Sequence, residues 1–220
     1  MSDKSQKMFP RLTVDPVLFV YDDKKIKVLL TKRHNQPQKD AWALPGGNSY
    51  ANEKIKDNVV NWLHKKTDYP KKNIRHIQQL QAFDTDDVDP RGHAVTVSFL
   101  LLGNSYHVNK HSKLFDINDL PQLAFDHISI VKEGIRQLKL ELSTTTMAQS
   151  LLPKKTTLND IFNIYQSVFD KQIDNRNFRK KFLAHGALKD TGELELGVPN
   201  RPSKLYSFKA QSITPLNNSF

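Results

Sequence analysis

The stretch Ala41-Trp42-Ala43-Leu44-Pro45-Gly46-Gly47 decides the fold of the first half of this 220-residue chain. It separates strand-like sequence from residues 52–67, where apolar side chains recur at helical spacing. Two strand-like stretches precede it and two follow it, all rich in β-branched and apolar residues. These stretches are residues 13–21, 25–33, 74–83 and 94–102. Strands, a helix and further strands predict an α+β or α/β layer around a mixed sheet.

A helix linking two domains is predicted over residues 127–142, where apolar residues again follow the helical period. Residues 148–152 predict one more helical turn, which Pro153 ends. We therefore divide the chain into a first domain, residues 1–142, and a second domain, residues 143–220.

The second domain shows two helix starts followed by a hairpin pattern. Thr157 and Asp160 form a variant of the capping box, and Asp174 is the N-cap of a further helix. A strand, a turn containing Pro and Gly, and a second strand are predicted over residues 193–208. Helices followed by a hairpin of this size are typical of a winged helix-turn-helix domain.

Composition excludes several classes of protein. The chain has no cysteine, which rules out a disulfide scaffold and a thiolate zinc site and favours a reducing compartment, the cytoplasm. No apolar run approaches the roughly 20 residues of a membrane helix, and residues 1–9 lack the apolar region of a signal peptide. We expect no membrane partner. The net charge of +10 favours an anionic partner such as nucleic acid or a phosphate compound.

The Pro-Gly-Gly segment, with Glu53 six residues after Gly47, resembles the opening of a Nudix box. In that family a helix carries glutamates that hold Mg²⁺ against a diphosphate. This chain departs from the pattern at the later positions, which hold Asn61, Trp62, Lys65, Lys66 and Asp68. The resemblance implies an α-β-α Nudix-type sandwich, and the missing carboxylates predict that it has no metal, no cofactor and no catalytic residues. A simpler interpretation makes Lys65 and Lys66 a solvated helix face.

Two downstream stretches look like the branch of the Nudix family that handles ADP-ribose. They are Asp89-Pro90-Arg91-Gly92 and the segment from Leu120 to His127. The resemblance makes Arg33, Gly46, Gly47 and Arg91 candidates for phosphate contacts. Trp42 or Phe83 could stack on a base. His34, His93 and His127 lack metal-ligand spacing and are interpreted as structural or surface groups.

The helix after Asp174 carries a basic face suited to DNA. Phe178 and Phe182 lie on one side, and Arg176 and Lys180 project from nearly the opposite side. Such a helix fits the major groove, where Arg and Asn recognise bases and Lys neutralises phosphate. The predicted DNA-binding residues are Asn175, Arg176, Asn177, Arg179 and Lys180 of the helix, with Arg201 and Lys204 of the wing.

Taken together, residues 11–208 resemble the NrtR-like transcriptional regulators of bacterial NAD metabolism. The resemblance implies a homodimeric repressor that binds double-stranded operator DNA and senses ADP-ribose or a related nucleotide or sugar metabolite. One alternative is a Nudix hydrolase acting on ADP-ribose or another nucleoside diphosphate derivative. Another is an RNA-binding or scaffold protein that uses the winged helix without operator specificity.

Overall fold

A computed structural model of the chain describes residues 9–84, 89–104, 107–169, 172–197 and 202–216. The strands of the first part are β1 (Arg11–Asp22), β2 (Lys25–Lys32), β3 (Trp42–Ala43), β4 (Gly47–Asn48), β5 (Ile74–Asp84), β6 (Ala94–Asn104) and β7 (Ser112–Asp116). Its helices are α1 (Ile55–Thr67) and α2 (His127–Thr144). The second part contains α3 (Leu158–Phe169), α4 (Asn175–Ala184), β8 (Thr156–Thr157), β9 (Leu188–Leu194) and β10 (Lys204–Phe208). Short 3₁₀ helices lie at Lys71–Asn73 and Met147–Ser150.

The first part is a seven-stranded mixed sheet between two helices. The strand order is β3-β2-β1-β6-β5, with β4 paired to β1 and β7 paired to β2. β1 and β6 run parallel, and the other pairs are antiparallel. On one face Val17 and Phe19 share a core with α2, and on the other Leu18 and Val20 share a core with α1. The predicted sandwich is therefore confirmed, and the continuous apolar run of β1 reflects burial on both faces.

The turn between β1 and β2 lies one residue later than the sequence pattern predicts. Asp22-Asp23 is the predicted turn, whereas Asp22 pairs with Lys25 and the turn residues are Asp23 and Lys24. Both have positive φ, 49° and 61°, which is the geometry of a two-residue hairpin that follows the twist of its strands.

The second part is a winged helix domain with the predicted helix caps. Thr157 Oγ1 donates to Asp160 Oδ2 at 2.7 Å and accepts the Asp160 N–H at 3.0 Å, which confirms the capping box. Asp174 Oδ1 accepts the Asn177 N–H at 2.6 Å and caps α4. A three-stranded sheet, ordered β8-β10-β9, includes the strands of the wing.

The two parts share one core. α3 packs on the first sheet, where the Ile26 N–H donates to Ser167 Oγ at 2.9 Å. Nearby, Tyr21 donates to Asp160 Oδ1 at 3.1 Å and accepts a hydrogen bond from Asn163. The predicted domain boundary at residue 142 falls in the last turn of α2 and stays a prediction. Within the described ranges, no helix is both long and apolar enough to cross a membrane.

Candidate ligand cavity and nucleic-acid interface

A cavity of about 410 Å³ opens above the centre of the first sheet. It lies where β1, β2, β4 and α1 meet the start of α2. Its lining combines cations, carboxylates and aromatic rings, the groups that can recognise an anionic ligand carrying a ring. The cations are Lys32, Arg33, Lys66 and Arg91, and the rings are Tyr50, Trp62 and Phe125.

Two of the predicted phosphate-binding residues, Arg33 and Arg91, meet at one wall of the cavity. Their guanidinium carbons lie 4.6 and 5.8 Å from the centre of the Phe125 ring. Arg91 donates to Asp89 at 2.7 and 2.9 Å, and Arg11 donates to the same carboxylate at 2.8 Å. The hydrogen bonds from Arg91, together with that from Arg11, hold the pKa of Asp89 far below its usual range. Asp89 thus fixes Arg91 in place while both stay charged.

The two glycines predicted to approach a phosphate also line the cavity, and packing requires both of them. A Cβ on Gly46 would lie 2.0 Å from the Val14 carbonyl oxygen and from Asp15 Oδ1. A Cβ on Gly47 would lie 2.5 Å from the Trp62 ring. Close contact with β1 and with Trp62 therefore explains the glycines without a ligand, and their phosphate contacts stay a prediction.

The predicted stacking residues, Trp42 and Phe83, are not brought to this cavity. Trp42 lies on the short strand β3 and packs edge-on against Phe115, with the ring centres 4.8 Å apart. Phe83 lies on β5 and packs against the core. The rings at the cavity are instead Phe125, Trp62 and Tyr50, and the last two are stacked with centres 5.8 Å apart.

The floor of the cavity holds three ionisable groups that the sequence pattern does not predict there, Asp15, His127 and Lys66. Two of them, Asp15 and His127, are buried, and the Leu44 N–H donates to His127 Nδ1 at 2.9 Å. The ring proton is therefore assigned to Nε2, which faces Asp15 Oδ2 at 3.9 Å. Burial raises the pKa of Asp15 and lowers that of His127. A signal for Asp15 was present in the sequence, because an aspartate inside an apolar strand is almost never fully buried unless it has a partner.

Lys66 completes this floor. Its ammonium donates to the Gly46 carbonyl oxygen, and burial lowers its pKa. The interpretation of Lys66 as part of a solvated helix face is therefore wrong. Lys65, by contrast, does belong to a solvated face: it is exposed, and its Nζ lies 4.7 Å from the centre of the Trp62 ring. The two lysines differ because α1 faces β1 over only part of its circumference.

The neutral His127 predicts a pH dependence of stability. Its pKa is lowered from the ordinary 6.5 by burial, by Lys66 and by Arg33, while Asp15 and Asp126 oppose the shift. Below pH 6.5 the unfolded chain takes up a proton that the folded chain does not, so stability falls as pH falls towards the folded pKa. Between about pH 7.5 and 5.5, we expect wild type to lose about 1 kcal/mol more than His127→Asn in urea unfolding.

His127→Asn is the matched variant because its side-chain oxygen can still accept the Leu44 N–H while it has no titrating ring. The comparison cancels the contributions of Asp15 and of the other histidines to first order. Equal pH dependence of the two proteins would show that His127 titrates as it does in the unfolded chain.

Glu53, the acidic residue that the Nudix-like segment retains, pairs with two amide side chains. Glu53 accepts hydrogen bonds from Asn58 Nδ2 at 2.8 Å and Asn61 Nδ2 at 3.1 Å, and it does not line the cavity. In the part of the chain that the structure describes, no three His, Cys, Asp or Glu residues are grouped so that they could hold a metal ion.

The predicted DNA-binding helix, α4, is anchored by aromatic packing. Phe178 and Phe182 are buried, and both contact Tyr165 of α3, with ring centres 5.0 and 5.8 Å apart. This packing turns the basic side of α4 outward. The exposed residues of that side are Arg176, Asn177, Arg179 and Lys180, while Asn175 is half-buried. Among the described residues, none of its three cations forms an ion pair, so all three are available to a phosphate or a base.

The wing carries the last two predicted DNA-binding residues, Arg201 and Lys204. Lys204 is exposed and forms an ion pair with Asp190 at 2.9 Å. Arg201 lies outside the described residues. The contacts of both residues with DNA stay predictions.

Two family models match the chain. Residues 11–132 match the NUDIX domain, and residues 148–208 match the NrtR DNA-binding winged helix domain. Together the two matches include the cavity and α4.

Four comparisons, with proteins of three organisms, cover the chain to different extents. The ADPR responsive transcriptional repressor NtrR of Acinetobacter baylyi is 30% identical over 94% of this chain and 86% of its own length. Shewanella oneidensis NrtR, crystallised with a 27mer DNA, is 28% identical with a TM-score of 0.78, covering 95% of this chain and 99% of that one. Its NUDIX domain complexed with ADP ribose is 32% identical with a TM-score of 0.54, covering 62% and 94%. An ADP-ribose pyrophosphatase of Methanocaldococcus jannaschii is 34% identical over 59% of this chain and 75% of its own length.

Proposed function

Because the chain belongs to the NrtR family, a NUDIX domain joined to an NrtR DNA-binding winged helix domain, we propose that it is a transcriptional repressor whose operator binding responds to ADP-ribose. The observation that carries the proposal is the basic side of α4, which aromatic packing holds outward with three cations free of ion pairs among the described residues. A helix of this kind can enter the major groove with its N-terminal residues towards the bases.

The effector is ADP-ribose or a close relative. Its diphosphate carries negative charge, and the cavity presents Arg33, Lys66 and Arg91 to it. Its adenine is a flat ring that can stack on an aromatic side chain, and Phe125 already lies against Arg33. The Acinetobacter repressor is responsive to ADPR and the Shewanella NUDIX domain forms a complex with ADP ribose, which supports the same ligand class here.

The protein acts as a homodimer in the cytoplasm, where chromosomal DNA is available to it. Two winged helices would contact half-sites separated by about one helical turn or a multiple of it. ADP-ribose then changes the spacing of the two helices through the core that α3 shares with the first sheet, where the Ile26 N–H meets Ser167.

We also propose that the protein binds its effector without hydrolysing it. The support is the residue set in and just before α1. Lys65 and Lys66 of α1 stand in place of two acids, and Glu53, which precedes the helix, accepts hydrogen bonds from two amide side chains. The similarity to the archaeal ADP-ribose pyrophosphatase favours the alternative, a hydrolase. Release of AMP from ADP-ribose in Mg²⁺ decides between them: we expect none, and release that Glu53→Gln abolishes would establish the enzyme.

A mobility-shift experiment tests the regulator. The purified full chain selects its site from random duplexes, and the selected duplex is then titrated with and without ADP-ribose. We expect a sequence-specific shift whose apparent Kd changes at least about tenfold with ADP-ribose, a coupling of about 1.4 kcal/mol. AMP is the control effector.

Two outcomes would contradict the proposed repressor that responds to ADP-ribose. A chain that selects no sequence under any condition would support the RNA-binding or scaffold alternative. A specific shift that ADP-ribose leaves unchanged would support a different effector. Arg176→Ala adds a second criterion, since a base contact relaxes discrimination at one position whereas a phosphate contact weakens all sequences equally.

A further inference from the structure

The Nudix fold implies a divalent cation at the helix that follows its glycines, and the residues of this chain do not fit one. Of α1, Trp62 and Lys66 line the cavity, so its contribution is an indole and an ammonium rather than carboxylates. The indole Nε1 donates to the Asn48 carbonyl oxygen at 2.8 Å. Glu53 is turned to Asn58 and Asn61. The side chains that face the cavity from α1 are therefore a donor and a cation, which cannot ligate a metal ion.

Lys66 is placed as a cation of the cavity floor. Its ammonium donates to the Gly46 carbonyl oxygen, and the buried Asp15 carboxylate attracts it. The remaining two donors of the ammonium are available to a ligand, because lysine carries three. Asp15 and the Gly46 carbonyl oxygen thus act as positioning groups, in the way that carboxylate and carbonyl oxygens position a bound metal ion.

The cavity holds an excess of positive charge that a further cation would increase. Arg33 and Arg91 both repel the Lys66 ammonium, and all three line the same space. Repulsion between like charges disfavours entry of Mg²⁺, whereas it is relieved when an anion enters between them. The arrangement is complementary to a diphosphate by itself rather than to a diphosphate that carries Mg²⁺ with it.

We propose that the Lys66 ammonium takes the place of the divalent cation, so that this protein binds the diphosphate of its effector independently of metal. Lys66 contacts the diphosphate from the floor, and Arg33 and Arg91 contact it from the wall. The inference rests on the proposed function for the identity of the effector, but the chemistry it assigns, a diphosphate held by three side-chain cations, is separate from any effect on DNA.

Calorimetric titration of the full chain with ADP-ribose, in EDTA and in excess Mg²⁺, tests the proposal. We expect Kd values that agree within about twofold in the two buffers. Lys66→Met keeps the length of the side chain and removes the charge, and we expect Kd to rise at least about tenfold in both. Lys65→Met is the matched control, because Lys65 is the neighbouring lysine and does not line the cavity.

Charge reversal gives a readout that a merely structural role would not move. Lys66→Glu places a carboxylate beside Asp15, and we expect it to lose ADP-ribose binding in EDTA and to recover part of it in Mg²⁺. Thermal unfolding of each variant verifies its fold.

Several outcomes would overturn the proposal: wild-type binding that requires Mg²⁺, Lys66→Met binding as tightly as wild type, or Lys65→Met losing as much affinity as Lys66→Met. Failure of the proposed function is distinguishable, because wild type would then bind no ADP-ribose in either buffer. Titration with inorganic pyrophosphate decides that case. Binding in EDTA that Lys66→Met loses would support the inference, and no binding would refute it.

Discussion

Simultaneous replacement of Arg176, Arg179 and Lys180 by alanine is expected to weaken operator binding at least about 100-fold at physiological salt. All three side chains are exposed, Arg176 and Lys180 on the side of α4 opposite its buried phenylalanines and Arg179 at the edge of that side. They form no ion pair among the described residues. Removal of a bidentate hydrogen-bonded pair with a base costs about 1–3 kcal/mol, and the removal of cations from phosphates adds to it. The dependence of log Kd on log salt should also become shallower, by about 0.9 for each phosphate that is no longer neutralised.

A control variant with the same change in net charge separates direct DNA contact from general electrostatics. Lys56, Lys72 and Lys132 are exposed, and they lie on or next to elements of the first part of the molecule. Their replacement by alanine should weaken operator binding far less than the α4 variant does. If both triple variants weaken it equally, the overall charge rather than α4 carries DNA binding.

Gly46→Ala is expected to have the largest effect on stability of any single substitution near the cavity. The new Cβ would lie 2.0 Å from the Val14 carbonyl oxygen and from Asp15 Oδ1, and a backbone carbonyl cannot move aside alone. Either β1 or the loop must shift, and the hydrogen bond from Lys66 to the Gly46 carbonyl oxygen would be disturbed with it. We expect a loss of about 3 kcal/mol or more in urea unfolding, at the upper end for an overpacked site.

Gly134→Ala is the matched control for this substitution. Its Cβ would lie 3.0 Å from a methyl carbon of Val17 and 3.3 Å from the Phe19 ring, so these side chains need to shift by only a few tenths of an ångström, and alanine also favours the helix that contains it. The two effects partly offset each other, so we expect a change within about 1 kcal/mol. Equal losses of stability in the two variants would show that the loop at Gly46 yields as easily as a side chain.

Local features were predictable because short-range chemistry determines them. The capping box of Thr157 and Asp160 and the N-cap at Asp174 each involve residues three apart, and both are present. The exact turn between β1 and β2 was not predictable in this way. A run of acidic and basic residues offers several two-residue turns, and strand pairing selects one of them. The family resemblance added the order of the elements and the winged helix.

The candidate site was predictable only in part. The family resemblance identified some of the residues that line the cavity, and tertiary packing alone brings the others to it. Arg33, Arg91 and the two glycines were placed together by a resemblance, and all four line one cavity. Trp42 was predicted to stack on a base, but its position on β3 places its ring against Phe115 and away from the cavity. Phe125 was visible in the sequence just before the long helix, and only its positive φ of 52° and its contact with Arg33 bring it to the cavity.

By itself, the sequence determined the long strands and helices, the caps of α3 and α4, the basic side of α4 and the lysines at positions 65 and 66 of α1, because each depends on neighbours along the chain. Only the tertiary structure decided what replaced those acids. Helical periodicity places Lys65 and Lys66 about 100° apart, but it does not say which of them faces β1. Packing of α1 on the sheet turns Lys66 towards Asp15 and Gly46 and leaves Lys65 exposed, so that one excess charge became part of the cavity and the other part of the surface.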